Sequence, residues 1–226
     1  MTASTGADLR HVDTWLFDLD NTLYPLESGL AVKVSAKITD FVERLTGLDR
    51  EAAHDLQKRY LADHGLTLKG LMTHHAVDPD QYHAALNDVD LACLTPEPAL
   101  ADALKRLPGR RLIFTNADEI HAGRVLARLG LDQLFEGVFH IASAAFDPKP
   151  AVAAFRRIIE AYAIDPTTTA FFEDAERNLE PAARLGMTTI LVGAHAMSSK
   201  APYVHFRAPG LAAFLASARV QGENPP

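Results

Sequence analysis

From Arg111 onward the chain repeats one pattern: a short apolar run of β character, then a longer stretch with helical spacing. RLIFTN, from Arg111, is followed by EIHAGRVLARLG, where Gly130 marks a helix stop. GVFHIAS reads as a second strand, and PAVAAFRRIIEAYAI as a helix with Pro150 near its first turn. TTTAFFED is a third strand, ERNLEPAARLG a helix ending at Gly186, and MTTILVG a fourth strand. Parallel strands cannot be joined by a tight hairpin and need a crossover, usually a helix. The alternation therefore predicts an α/β fold with a mostly parallel sheet and helices on both faces. TWLFDL, from Thr14, has the same composition and belongs to that sheet.

Between Thr22 and about Thr95 the pattern changes. AVKVSAKITDFVERLTG, EAAHDLQKRYLADHG and DQYHAALNDVD are helix-like, with no convincing strand between them. The expected organisation is an α/β core from residues 1–22 and 96–226, with residues 23–95 inserted after the first strand as a helical segment, or cap, covering one end of it. Within the cap, HGLTLKGLM carries glycines at 65 and 70 around a short run, which predicts a loop with special backbone angles. Lys69 is the charged residue between them, and a loop closing over the core would place it as a substrate-specificity residue.

Open α/β sheets bind ligands outside the C-terminal ends of their strands. The residues there are Asp18 and Asp20, then Thr115 and Asn116, then Glu173 and Asp174, with Lys149 in the loop FDPKP before a helix. Each has an ordinary explanation alone, as a turn, a helix cap or a solvated lysine. Their joint placement does not. Four acids gathered at one sheet edge repel one another unless a cation joins them. Hard oxygen ligands with room for water suit Mg²⁺, which favours carboxylates together with substrate phosphate. That set supports phosphoryl transfer. Asp18 is the candidate nucleophile, forming an aspartyl-phosphate. Asp20 is the candidate acid and base, which requires it to hold a proton part of the time near neutral pH. Thr115 and nearby backbone N–H groups can hold phosphate oxygens, and Lys149 can offset the charge on Asp18 and the phosphoryl group.

DLDNT, TN, KP and EDAERN resemble, in order, the four motifs of the haloacid dehalogenase superfamily of phosphohydrolases. The resemblance implies a Rossmann-like core with a mobile cap. It assigns the nucleophile to Asp18, the acid/base to Asp20, phosphate binding to Thr115 and Asn116, and charge balance to Lys149. It also places Mg²⁺ on the Asp18 carboxylate, the Asp20 backbone carbonyl, Asp174 and Glu173, with Asn178 supporting Lys149 or its loop. Dehalogenases of the superfamily typically lack the second Asp; its presence here points to a phosphatase.

FDLDNTLYP, HGLTLKGLM, DPDQYHAALNDVDL, FTNADEIHAGRVLARLGL and RNLEPAARLGMTTILVG further resemble the pyrimidine 5′-nucleotidase branch, which implies a nucleoside monophosphate substrate. FHI departs from it, with His140 where an Asp is expected. A phosphatase of the same fold acting on a sugar phosphate or phosphoglycolate is the close rival, and a non-catalytic binding protein the more distant one.

The remaining features limit other classes. The 226 residues are 48% hydrophobic and 23% charged, with a formal net charge of -7. That balance opposes a broad basic face for a nucleic-acid polymer or an anionic membrane. Cys93 is the single cysteine, the N-terminal MTASTGADLRHVD lacks a signal-peptide pattern, and no apolar run is long enough to span a bilayer, so a cytoplasmic protein is expected. His64, His74, His75 and His83 lack zinc-site spacing, His121 receives no assignment, and the tail VQGENPP reads as frayed.

Overall fold

The computed structural model describes residues 6–222. Its six strands are β1 (Thr14–Phe17), β2 (Arg110–Phe114), β3 (Gly137–Phe139), β4 (Thr169–Glu173), β5 (Thr188–Val192) and β6 (Phe206–Ala208). They form one sheet in the order β3-β2-β1-β4-β5-β6, with every pairing parallel. The α/β expectation is met, and β6 is a strand that the sequence pattern missed. Nine helices accompany it among the described residues: α1 (Leu30–Thr46), α2 (Arg50–His64), α3 (Thr67–His75), α4 (Pro79–Leu86), α5 (Pro98–Arg106), α6 (Glu119–Leu129), α7 (Val152–Tyr162), α8 (Glu176–Arg184) and α9 (Leu211–Ser217).

Strand side chains alternate faces, and this divides the core in two. Trp15, Phe17, Ile113, Phe172 and Ile190 join apolar residues of α5, α6 and α9 on one face. Leu16, Leu112, Phe114, Phe171 and Leu191 join α7 and α8 on the other. Phe17 stacks on Phe172 across β1 and β4, with centroids 4.6 Å apart. The two sheet edges diverge from β1, so its C-terminal end opens at the switch in strand order. Such a crevice is where open α/β sheets place ligands.

Helices α1 to α4 enclose a separate apolar cluster of Val42, Leu56, Tyr60, Leu68, Leu71 and Tyr82. The ends of the inserted segment behave differently: Leu23, Leu30, Val89, Leu91 and Leu94 pack with the sheet core. Asp49 and Asp78 cap α2 and α4 by accepting from Ala52 N–H (2.9 Å) and Asp80 N–H (3.0 Å).

Three local expectations are corrected. HGLTLKGLM is mostly helix: Gly65 ends α2 at φ 76°, and α3 begins at Thr67. Gly70 is there for close approach, since a Cβ would lie 2.4 Å from the Tyr60 ring. The GVFHIAS strand stops at Phe139, because Ile141 N–H turns to Ala117 O and Ala145 and Phe146 take positive φ. At the tail, Val220 is buried, and Arg219 is bonded to Ala7 and Leu9 through the backbone. Residues 223–226 lie outside the described part, as do residues 1–5. No described helix is long and apolar enough to cross a membrane.

Candidate active site

Asp18 follows β1 directly, and its N–H still bonds Phe172 O at 2.9 Å, so the ladder fixes its backbone. Glu173 ends β4 beside it, and Thr115 follows β2. Lys149 enters from the loop before α7 and is 1% exposed. Its Nζ donates to Asp18 Oδ1 (2.7 Å), Glu173 Oε2 (2.6 Å) and Phe114 O (2.8 Å). An ammonium has three hydrogens. All are committed, which leaves Lys149 its charge but no spare donor.

The expected support from Asn178 is absent: its Oδ1 is buried without a partner, and Glu173 takes the role instead. Asn116 is bonded to the same lysine. Its Oδ1 accepts from Lys149 N–H (2.8 Å) and its Nδ2 donates to Lys149 O (3.3 Å). The side chain thus clamps the Lys149 backbone. Thr115 Oγ1 accepts from Ala117 N–H at 3.0 Å, which leaves its hydroxyl hydrogen to donate.

Asp18, Glu173 and Asp174 each offer one carboxylate oxygen, and these atoms lie within 4.8 Å of one another. Burial, reinforced by the Glu173 charge, pushes the Asp18 carboxyl up to about 7 despite Lys149. Burial, with the Asp18 charge, pushes Asp174 up to about 6. Burial also raises Glu173, against the pull of Lys149. Negative charge thus exceeds what one lysine offsets. An all-oxygen donor set under such strain fits a hard divalent cation. Glu173 is the most occupied of the three, since Oε1 accepts from Ala175 N–H (3.0 Å) while Oε2 holds Lys149.

Asp20 is arranged differently. Its Oδ1 accepts from Tyr24 Oη at 2.5 Å and lies 3.0 Å from His121 Nε2. Burial alone would raise its carboxyl, but these two bonds and the His121 charge hold it below the usual range. Its two partners thus favour the charged form of this carboxyl against the effect of burial. His121 reaches Asp20 because α6 starts just after the Thr115–Asn116 turn, with Asp118 capping it through Ile120 and His121 N–H. The sequence offered a hint in the TN-to-His spacing, but nothing in it showed the contact.

Lys69 lies on α3, and its Nζ donates to Asp147 Oδ1 at 2.5 Å. Asp147 also accepts from Arg157 at 2.8 Å. Phe146, from the same loop, packs against the cap's apolar cluster. The cap therefore grips the loop that carries Lys149. A cavity of about 190 Å³ lies between cap and core, walled by Val34, Ile38, Leu66, Leu68, Tyr82 and Leu86 and floored by Asp20, Asn116 and His121. Lys69 is not part of its lining. His140 sits elsewhere, facing Glu119 at 3.9 Å, and His64 and His74 meet each other on the cap at 3.1 Å.

Residues 12–186, which hold all of these groups, match the haloacid dehalogenase-like hydrolases, and the chain belongs to that family. Over 193 residues it is 26% identical to "Phosphate metabolism protein 8" of Saccharomyces cerevisiae, an alignment covering 78% of this chain. The chain spans 60% of the length of that relative. Among solved structures it is similar to a haloacid dehalogenase-type phosphatase from Thermococcus onnurineus, with TM-score 0.59, 17% identity, and 88% and 94% of the two chains covered. It is comparably similar to L-2-haloacid dehalogenase from Xanthobacter autotrophicus, with TM-score 0.56, 18% identity, and 91% and 97% covered. One fold thus serves two chemistries, and the site residues must distinguish them.

Proposed function

We propose that the protein is a Mg²⁺-dependent phosphomonoesterase acting through an aspartyl-phosphate, with a pyrimidine nucleoside monophosphate as substrate. The observation that carries the phosphatase reading is Asp20, held beside Asp18 by two hydrogen bonds at the floor of the cavity. Displacing halide needs no acid; displacing an alkoxide does.

Asp18 and Asp174, with Glu173 in reach, would hold the cation. Bound there, Mg²⁺ would neutralise charge on the phosphoryl oxygens and keep the Asp18 carboxyl ionised. Asp18 then attacks phosphorus, the bond to the leaving oxygen breaks, and Asp20 gives that oxygen a proton. A phosphate dianion entering beside Asp20 raises the proton affinity of this carboxylate by like-charge repulsion, which readies it as the acid. Water next attacks the phosphoaspartate, Asp20 takes its proton, and Asp18 is released with inorganic phosphate. Lys149 stays between Asp18 and Glu173 and stabilises the charge that shifts between carboxylate and phosphoryl group. Thr115 donates its hydroxyl to a phosphoryl oxygen.

The cavity supports a nucleoside leaving group. Its walls are mainly aliphatic with one tyrosine, and no lysine or arginine lines it. A phosphoglycolate carboxylate would find no lysine or arginine among the described lining residues, and His121 is already engaged by Asp20. Since Lys69 is engaged by Asp147, selection falls to the walls around Leu68, Tyr82 and His83. Phosphate release from a panel containing UMP, CMP, sugar phosphates and phosphoglycolate, with Mg²⁺ and with chelator, tests the proposal. The expected result is Mg²⁺-dependent release favouring UMP or CMP. Equal release with chelator would overturn the metal requirement, and preference for phosphoglycolate would overturn the substrate.

A further inference from the structure

Two residues that the reaction scheme leaves idle converge on Asp20. Tyr24 is 5% exposed and His121 is 8% exposed. Tyr24 lies four residues beyond Asp20, just past β1, whereas His121 comes from the first turn of α6, 101 positions away. Both meet the same oxygen, Oδ1. A carboxylate oxygen accepts, so the ring nitrogen of His121 facing Oδ1 is placed to present Nε2–H to it. Tyr24 Oη–H is the donor of the 2.5 Å bond to this oxygen. Among the described residues no protein donor reaches Oδ2, and Asp20 lines the cap–core cavity.

We infer that Tyr24 and His121 are positioning residues that pin Oδ1 of Asp20 and so reserve Oδ2 for the leaving-group oxygen. This rests on the reading of Asp20 as the acid. A carboxylate turns about its last side-chain bond in a broad torsional well. A single hydrogen bond would tolerate that rotation, but two donors from different elements on one oxygen do not. The arrangement also links two parts of the reaction. The helix that delivers His121 begins at the turn holding Thr115, so phosphate binding and orientation of the acid share one rigid element.

The test uses two ring-bearing substrates that differ in leaving group, p-nitrophenyl phosphate and benzyl phosphate. A nitrophenolate departs without a proton; a benzyl alkoxide needs one. kcat/KM reports steps only up to transfer onto Asp18, so it isolates the acid step from later hydrolysis. Asp20→Asn is measured first. If it lowers kcat/KM for benzyl phosphate no more than for p-nitrophenyl phosphate, the reading of Asp20 as acid fails, and the present inference falls with it. Where that selective loss is seen, Tyr24→Phe and His121→Leu should each reproduce part of it. The expected fall is about tenfold greater for benzyl phosphate than for p-nitrophenyl phosphate, the size of one lost charge-assisted hydrogen bond expressed in the transition state. His121→Gln, which can again present an N–H, should recover part of the loss. Equal falls for both substrates, or no difference between His121→Leu and His121→Gln, would overturn the inference while leaving the acid role of Asp20 intact. Tyr24→Phe keeps the buried ring, so it provides the reading if the His121 variants fold poorly.

Discussion

Removing the Lys69 amine tests whether the cap selects substrate through a charge or is tethered by one. Lys69 Nζ lies 2.5 Å from Asp147 Oδ1, with side-chain exposures of 36% and 29%. At that exposure solvent screens the pair, and such pairs contribute about 0.2–1 kcal/mol. Asp147 keeps its second partner, Arg157, at 2.8 Å, so the loop before Lys149 is loosened rather than released. The upper bound of about 1 kcal/mol corresponds to about a fivefold change in rate or equilibrium. A residue that reads the nucleoside would give a different signature, since losing a hydrogen bond to a charged group costs about 1.5–3 kcal/mol and only for the substrate that makes it. Lys69→Ala should therefore lower kcat/KM for UMP and for p-nitrophenyl phosphate together, by no more than about fivefold. Asp147→Asn should do the same, and the double variant should add little, because both remove one link. A fall of tenfold or more confined to UMP would refute the tether and restore Lys69 as a selector.

Asp18→Asn should reduce phosphate release to background while the protein keeps its thermal transition, because an amide is a poor nucleophile; near-normal turnover would exclude the aspartyl-phosphate. Asp174→Asn should raise the Mg²⁺ needed for half-maximal activity by about tenfold or more, with partial recovery at high Mg²⁺; an unchanged Mg²⁺ dependence would remove it from the metal site. Gly70→Ala should destabilise the protein by about 1–3 kcal/mol, since its Cβ would enter the Tyr60 ring at 2.4 Å; thermal or urea unfolding measures this, and an unchanged midpoint would show that α3 can shift freely. The pH dependence has a definite sign. Asp18 and Asp174 bind protons more tightly folded than unfolded, so metal-free stability falls as pH rises from the ordinary carboxylate range to about 7. Mg²⁺ should relieve that loss, and the Tm gain it gives should be larger at pH 8 than at pH 5; an equal gain at both would refute the raised carboxyls.

What could be read in the sequence was what repeats or alternates. β1, β2, β4 and β5 are apolar runs whose alternate residues pack on opposite faces, and the helices between them carry apolar spacing, so the parallel sheet follows from pattern alone. β6 was missed because FRA is three residues long and takes its order from pairing with β5. The loop expected over HGLTLKGLM failed for a physical reason. Gly70 resembles a turn glycine in sequence, yet its role is to let α3 approach Tyr60, a contact ten residues away that local reasoning cannot see. The site shows the same division. Asp18, Lys149 and Glu173 stand at strand ends or just before a helix, and their convergence follows from parallel topology. The partners that set their behaviour, His121 on Asp20 and Asn116 on the Lys149 backbone, depend on rotamers and loop paths that no spacing encodes.

The loop from Ala145 to Lys149 explains how these layers could act together. Ala145 and Phe146 both take positive φ, at 53° and 58°, conformations that non-glycine residues hold only when their surroundings require it. Here the requirement comes from both sides. Phe146 is packed against the cap cluster, Asp147 is held by Lys69 from the cap and by Arg157 from α7, and Lys149 is clamped by Asn116 and buried between two carboxylates. Any displacement of the cap must therefore be absorbed within about three residues of the amine that balances charge on Asp18. A link that short joins α3 to the amine between Asp18 and Glu173, so a change in the packing of Phe146 or in the Lys69–Asp147 pair would be felt first at Lys149.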